Sequence, residues 1–384
     1  MLYLAEHKDP AENAIYVQEL GSAKRVRVLN TLTRAMWSPT GYLLFVREGT
    51  LFAQPMDLKT FQVQGQAQAV AQDVAANDTG GRNTFAISSN GVLVYRSGAP
   101  VDTRQLTWRD RDGKVLGTVG PSGKILNPSL SPDGKSVAVT MGDIEMDAWV
   151  INLASGVLAR LTRDATAPLF YHAVVWSPDS QRLAVTHARL GIEEIVVATG
   201  QILPQSNERM IAEDWTPDGV GLLCSASSEL FLLTSADLTK RQIIPGTPHG
   251  KVYRLSPDGQ FVAYVLDESG VSEIYVSPFP SFAVKRKVSS VPGFFPLWAK
   301  SGEELFYRSN EGWMMSIGIH TGGGIEASVP KPLFKFGSGS TLVNRFAVSA
   351  DGTRFLTSEP VKDGNAEKPA ITLVLNWAAD MKRP

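Results

Sequence analysis

Asn127-Pro128-Ser129-Leu130-Ser131-Pro132-Asp133-Gly134-Lys135-Ser136-Val137-Ala138-Val139-Thr140 reads as one β-hairpin. Proline presets the backbone at the second turn position, aspartate is tolerated at the third, and glycine accepts the positive φ at the exit. Short apolar runs flank the turn on both sides, as paired strands require. The hairpin is one copy of eight, with turns at 38–41, 88–91, 131–134, 177–180, 216–219, 256–259, 299–302 and 349–352. Successive copies end 39 to 50 residues apart. A period of that size marks an array of one supersecondary unit sharing a continuous core.

Within the third copy the chain continues through a strand at Asp147–Leu153, a turn at Ala154–Gly156 and a strand at Leu158–Thr162. Comparable third strands start at Thr50, Glu194, Glu229 and Glu273, and fourth strands at Arg241 and Arg286. Four antiparallel strands per unit, repeated about a centre, predict an all-β propeller. The eight turns predict eight blades, with seven as the alternative, in one domain over 1–384. Residues 1–30 supply three strands without a turn of their own, a partial blade lacking its first strand. Asn344–Val348, Arg354–Leu356 and Ile371–Asn376 supply three more, so strands from both termini are expected to close the ring. The chain thus reads as part of a longer polypeptide, or as completing its own ring with these strands.

The residue before each turn is apolar: Trp37, Ile87, Leu130, Trp176, Trp215, Leu255, Trp298 and Val348. Because an aromatic is not required, the column reads as packing between blades, not as a ligand platform. Asp147, Glu194, Glu229 and Glu273 occur once per repeat and fall on separate blades, so they read as strand-edge hydrogen-bonding groups, not as a cation site.

Lys plus Arg number 37 against 38 for Asp plus Glu, with no long basic run, which excludes the electrostatic footprint of a nucleic-acid binder. The single cysteine, Cys224, sits in an apolar run and reads as a core residue. No stretch has the length of a membrane span, and the first ten residues lack the pattern of a signal peptide. The five histidines are scattered, with no zinc-ligand spacing. Neither a nucleophile elbow nor a phosphate loop is present, and Gly322-Gly323-Gly324 lacks the lysine the latter needs. No catalytic residue, metal ligand or cofactor is therefore expected.

The repeat form, with Asp147-Ala148-Trp149 and Ala159-Arg160-Leu161-Thr162, resembles the WD40-like or PD40 repeats of TolB-type propellers. Gly41 to Leu51, Gly91 to Gly98, Arg104-Gln105-Leu106-Thr107-Trp108, Glu273 to Pro280 and Val374-Leu375-Asn376-Trp377 are most similar to the C-terminal propeller region of bacterial serine/threonine protein kinases. The resemblance spans nearly the whole chain. It implies a non-catalytic sensor that binds a protein, peptide or small-molecule ligand, in a parent protein with a kinase domain and a membrane anchor. It also implies an extracytoplasmic or periplasmic location. No kinase motif occurs in this chain itself. The alternative is a TolB-like protein-interaction scaffold. A third reading, the propeller of a prolyl-oligopeptidase-type hydrolase, lacks its catalytic domain.

Binding is expected where first strands converge, at the channel rim. Arg34, Asn83, Asn127, His172, Lys251, Asn344 and Arg345 precede the turns at the corresponding positions. They would make the mouth polar and mildly basic, suited to a peptide terminus or a small anion.

Overall fold

The structure is a computed structural model. It describes residues 1–5, 13–31, 34–47, 49–75, 84–97, 103–142, 146–162, 171–187, 191–203, 208, 210–227, 229–234, 237–336, 344–361, 371–379 and 381, without the side chains of 171, 172, 187 and 237–240. The described residues are all-β, and none forms a helix long and apolar enough to cross a membrane. By their contacts they divide into two compact units, Met1–Asp102 with Lys362–Pro384, and Thr103–Val361.

The described residues of the Thr103–Val361 unit form a β-propeller of six antiparallel sheets. The first runs Ile125–Leu130, Ser136–Met141, Asp147–Asn152, Leu158–Arg160. The second to fifth repeat that order from inner strands Tyr171–Trp176, Ile211–Trp215, Lys251–Leu255 and Gly293–Trp298, the fifth adding Lys331–Lys335 on its third strand, Trp313–His320. The sixth joins Phe346–Val348 and Arg354–Pro360 to Arg104–Asp110 and Val115–Gly123. Consecutive sheets touch, and the sixth returns to the first where the Asn127 N–H donates to the Asn344 carbonyl at 3.0 Å. Between the fifth and sixth, Phe306 meets Phe355 edge-on with ring centroids 5.1 Å apart.

One ring of eight or seven blades closed by the two termini was expected; the pairing closes six sheets on residues 103–361 instead. Ile371–Leu375 does not supply the third strand of the last repeat. That place is taken by Arg104–Asp110, whose Arg109 forms a bidentate ion pair with Glu359 at 2.5 and 2.7 Å. Bidentate guanidinium–carboxylate pairing fixes register as well as adding attraction. Ile371–Leu375 pairs with Val92–Arg96 in the other unit.

That other unit stacks three sheets. Leu2–Ala5, Ala14–Gln18 and Arg25–Asn30 form one. Met36–Ser38, Tyr42–Arg47 and Thr50–Asp57 form the next, with Gln62–Val63 and Gln68–Ala71 both on Thr50–Asp57. Phe85–Ile87, Val92–Arg96 and Ile371–Leu375 form the third. Ile15, Val17 and Val28 pack on Leu43 and Met56, while Leu44, Leu51 and Ala53 pack on Phe85, Leu93 and Trp377.

The turns are hairpin chemistry throughout. The hydroxyl of Ser131, Ser177, Thr216, Ser256 or Ser349 donates to the aspartate two residues on at 2.5–2.6 Å. Those bonds, with backbone N–H donors, hold Asp133, Asp179 and Asp218 below the usual carboxylate range and Asp351 at about 2. Gly134, Gly219, Gly259 and Gly302 all take φ of 69 to 75°. Ser180 holds the same left-handed position at φ 61°, and its hydroxyl accepts the Asp133 N–H of the preceding sheet at 3.1 Å.

The turns also nest. A Cβ on Gly259 would lie 3.1 Å from the Pro217 ring of the preceding sheet, whereas one on Gly134 would meet nothing within 4 Å. Gly134→Ala is therefore expected to cost about 1 kcal/mol, the left-handed penalty alone. Gly259→Ala adds the push on Pro217 and should cost clearly more. Urea unfolding of the two variants measures the difference; equal costs would mean the nesting carries no weight.

Candidate functional site

The six inner strands of the Thr103–Val361 unit surround a cavity of about 1440 Å³. Its wall includes Trp108, Trp176, Trp215, Tyr253, Phe295 and Trp298. The tryptophans belong to the wall's own construction. Trp176 Nε1 donates to the Ser129 carbonyl at 2.8 Å, Trp215 Nε1 to Val175 at 3.3 Å and Trp298 Nε1 to Arg254 at 3.1 Å. Each bond runs from one sheet to the preceding one, so a buried indole finds the partner that burial demands.

Five of the six inner strands carry a register shift against their hairpin partner, at Leu126/Ser129, Tyr171/Ala173, Ala212/Asp214, Lys251/Arg254 and Phe294/Leu297. A bulge re-aims the side chains beside it. Asn127, Val252 and Phe295 sit at left-handed φ of 52, 57 and 58°. Asparagine tolerates that region, but a β-branched or bulky residue holds it only under strain.

Asn127, Lys251 and Asn344, expected at the rim, all line this cavity. Asn127 Oδ1 accepts the Asn344 N–H at 3.1 Å, and Asn127 Nδ2 donates to Thr140 Oγ1 at 3.2 Å. Lys251 pairs with Asp267 at 2.7 Å and lies over the Phe294 ring. Arg345 is buried away from the cavity wall, its carbonyl accepting the Ser358 N–H at 2.8 Å. Arg34 is exposed in the other unit. Asn83 lies outside the described residues, and His172 falls in the Tyr171–Trp176 strand, its side chain outside them.

The acidic residues of the third strands bind within their own sheets. Asp147 pairs with Arg160 at 2.6 Å and accepts the Thr162 hydroxyl at 2.7 Å. Glu194 pairs with Arg182, Glu229 with Arg241 and Glu273 with Lys287. Among the described residues no group of three or more His, Cys, Asp or Glu is placed to hold a metal ion.

Glu213, Asp214 and Arg254 were not among the expected site residues, yet all three line the cavity. Glu213 Oε1 accepts the Ser225 hydroxyl at 2.6 Å, and Oε2 the Tyr253 N–H at 3.1 Å. Asp214 accepts the Trp215 and Leu255 N–H groups, both at 2.9 Å. Arg254 Nη1 donates to the Glu213 and Tyr253 carbonyls and stands 3.6 Å from Glu213 Oε2. Burial raises the Glu213 carboxyl above its ordinary range and pushes Asp214 up to about 6, with the Arg254 charge opposing both. A signal was present in the sequence. Where this inner strand has Glu213-Asp214, the others have Pro128-Ser129, Val174-Val175, Tyr253-Arg254, Pro296-Leu297 and Phe346-Ala347. Two adjacent acids in an otherwise unacidic column stand out.

No protein-family model matches the chain, and no curated protein matches it in sequence. Among solved structures, a TolB protein from Agrobacterium tumefaciens matches at TM-score 0.51 and 16% identity, covering 67% of this chain and 99% of that one. TolB from Acinetobacter baumannii matches at 0.46 and 16%, covering 75% of this chain and 78% of that one. The Cps50 (Swd1) β-propeller domain of Myceliophteria thermophila matches at 0.46 and 10%, covering 66% and 87%. The first of these likenesses shows the fold, a β-propeller similar to TolB.

Proposed function

We propose that this protein is a non-catalytic binding scaffold whose six-sheet ring receives an extended segment of a partner polypeptide in its channel. The cavity carries the reading. At about 1440 Å³ it exceeds the roughly 300–1,000 Å³ of a drug-sized ligand site, and it suits a short peptide better than a metabolite. Its wall mixes aromatic faces with Asn127, Asn344 and the Lys251 ammonium, groups that can take backbone amides and a terminal carboxylate. A sensory role beside a serine/threonine kinase domain is the narrower form of this reading, supported by the sequence resemblance. Reading the coding sequence in frame upstream of Met1 tests that form.

Ser129 lies in the channel wall and is small. Peptides selected from a random 12-residue display library against the protein should lose at least tenfold in affinity to Ser129→Trp, which places a bulky indole in the channel wall. They should weaken less with Lys251→Ala. Selected peptides that bind Ser129→Trp as tightly as the parent protein would refute a channel site.

A further inference from the structure

Three of the ring's seams are tied by a tryptophan of the later sheet: Trp176 to Ser129, Trp215 to Val175 and Trp298 to Arg254. At the seam between the third and fourth sheets the equivalent position is Leu255, which offers no side-chain donor. The tie there runs the other way. Glu213 and Asp214 of the third sheet accept the backbone N–H groups of Tyr253 and Leu255 of the fourth.

Adjacent residues of a strand ordinarily point to opposite faces. The bulge at Ala212/Asp214 removes that alternation, so both carboxyls turn to the same neighbour. One guanidinium, Arg254, faces the two of them, which leaves one negative charge uncompensated when both are ionised.

The other groups around the pair leave that balance unchanged. From the third sheet come the Ser225 hydroxyl and the Cys224 thiol, whose ionisation burial opposes. From the fourth come the Tyr253 phenol, tied to the Pro248 carbonyl at 2.6 Å and raised by burial, and Lys251, engaged by Asp267. The second sheet contributes the neutral Thr186 hydroxyl, which accepts the Ala212 N–H. The fifth contributes the neutral Trp298 indole on the Arg254 carbonyl.

We propose that Glu213 and Asp214 form a proton-operated latch across the third-to-fourth seam, tighter with one proton on the pair than with none. The proton cancels the uncompensated charge without removing either backbone acceptor. The latch needs no ligand, although both carboxyls lie in the wall of the channel. The direction follows from linkage. Folded Asp214 keeps its proton up to about pH 6, whereas an unfolded aspartate releases it near 3.8. The folded ring therefore binds more protons between those values. Stability from this group is full below the unfolded value and is lost as pH rises through about 6.

Amide hydrogen exchange of the full chain at pH 5 and pH 7.5, corrected for intrinsic rates, tests this. Protection at Tyr253 and Leu255 should be about tenfold greater at pH 5, because an opened Asp214 is already ionised there and only the one unit below its folded value of about 6 counts. Protection at Trp176 and Ser177, beside an indole-tied seam, should stay constant. Asp214→Asn should abolish the pH dependence at Leu255, and Glu213→Gln should reduce it. Equal protection of Tyr253 and Leu255 at the two pH values would overturn the latch. So would an unchanged pH dependence in Asp214→Asn. Should Asp214→Asn fail to fold, the seam-to-seam comparison in the parent protein and Glu213→Gln decide.

Discussion

Trp215→Ala is expected to destabilise the six-sheet ring by about 3–5 kcal/mol, the range for deleting a buried tryptophan. Trp215 is 3% exposed and packs with Val175, Ala184 and Leu222 across the second-to-third seam. The substitution removes that contact together with the indole bond to the Val175 carbonyl, which then lies buried without its donor. Trp215→Phe keeps most of the packing and isolates the bond, at about 1 kcal/mol. Chemical denaturation of both variants measures the two parts. A loss below 1 kcal/mol for Trp215→Ala would show that the seam does not depend on its indole.

Arg182→Ala should cost a similar amount for a different reason. Arg182 forms the ion pair with Glu194, whose side chain is fully buried while that of Arg182 is 23% exposed. Removing one partner of a buried pair leaves the other charge in a poor dielectric, at about 3–5 kcal/mol. Glu194→Gln on the Arg182→Ala background should recover part of the loss by discharging the stranded group. Arg182 also lies 4.8 Å over the Trp215 ring. The two alanine variants should therefore combine to less than the sum of their separate costs. Strict additivity in the double variant would mean the cation contributes nothing to the indole.

Much of the architecture was legible because the turn is local. Ser131, Pro132, Asp133 and Gly134 need only each other to make a hairpin, and the column before the turns holds buried Trp176 and Trp215 at sheet seams. Ring closure was not legible from those turns. Arg104–Asp110 pairs with Arg354–Pro360 across some 250 residues of chain, and Ile371–Leu375 carries an apolar pattern that suits either sheet. Only side-chain pairs such as Arg109–Glu359 tell the two apart.

The candidate site divides along the same line. Asn127, Lys251 and Asn344 stand four or five residues before the serine of their turns and line one cavity, whereas Arg345, four before Ser349, does not, so distance from the turn places a residue on an inner strand without fixing which way it faces. Arg34, at the same offset as Asn127, belongs to the other unit. Glu213 and Asp214 escaped notice because alternation predicts opposite directions for neighbours, and the bulge cancels it.

The sheet that combines Phe346–Val348 and Arg354–Pro360 with Arg104–Asp110 also fixes an order of assembly. During synthesis Arg104–Asp110 emerges among the earliest strands of its unit and waits for Arg354–Pro360, one of the last. Closing a flexible loop of that length costs on the order of 5 kcal/mol, but the penalty shrinks as intervening sheets condense and shorten the loop. The closure then brings the ends of the unit together, the Val361 N–H donating to the Thr103 carbonyl at 2.9 Å. Val92–Arg96 waits longer still, for Ile371–Leu375. In chain order the ring's residues are thus inserted between the strands of the three-sheet unit, and strands that leave the ribosome early are paired by strands that leave it some 250 residues later or more.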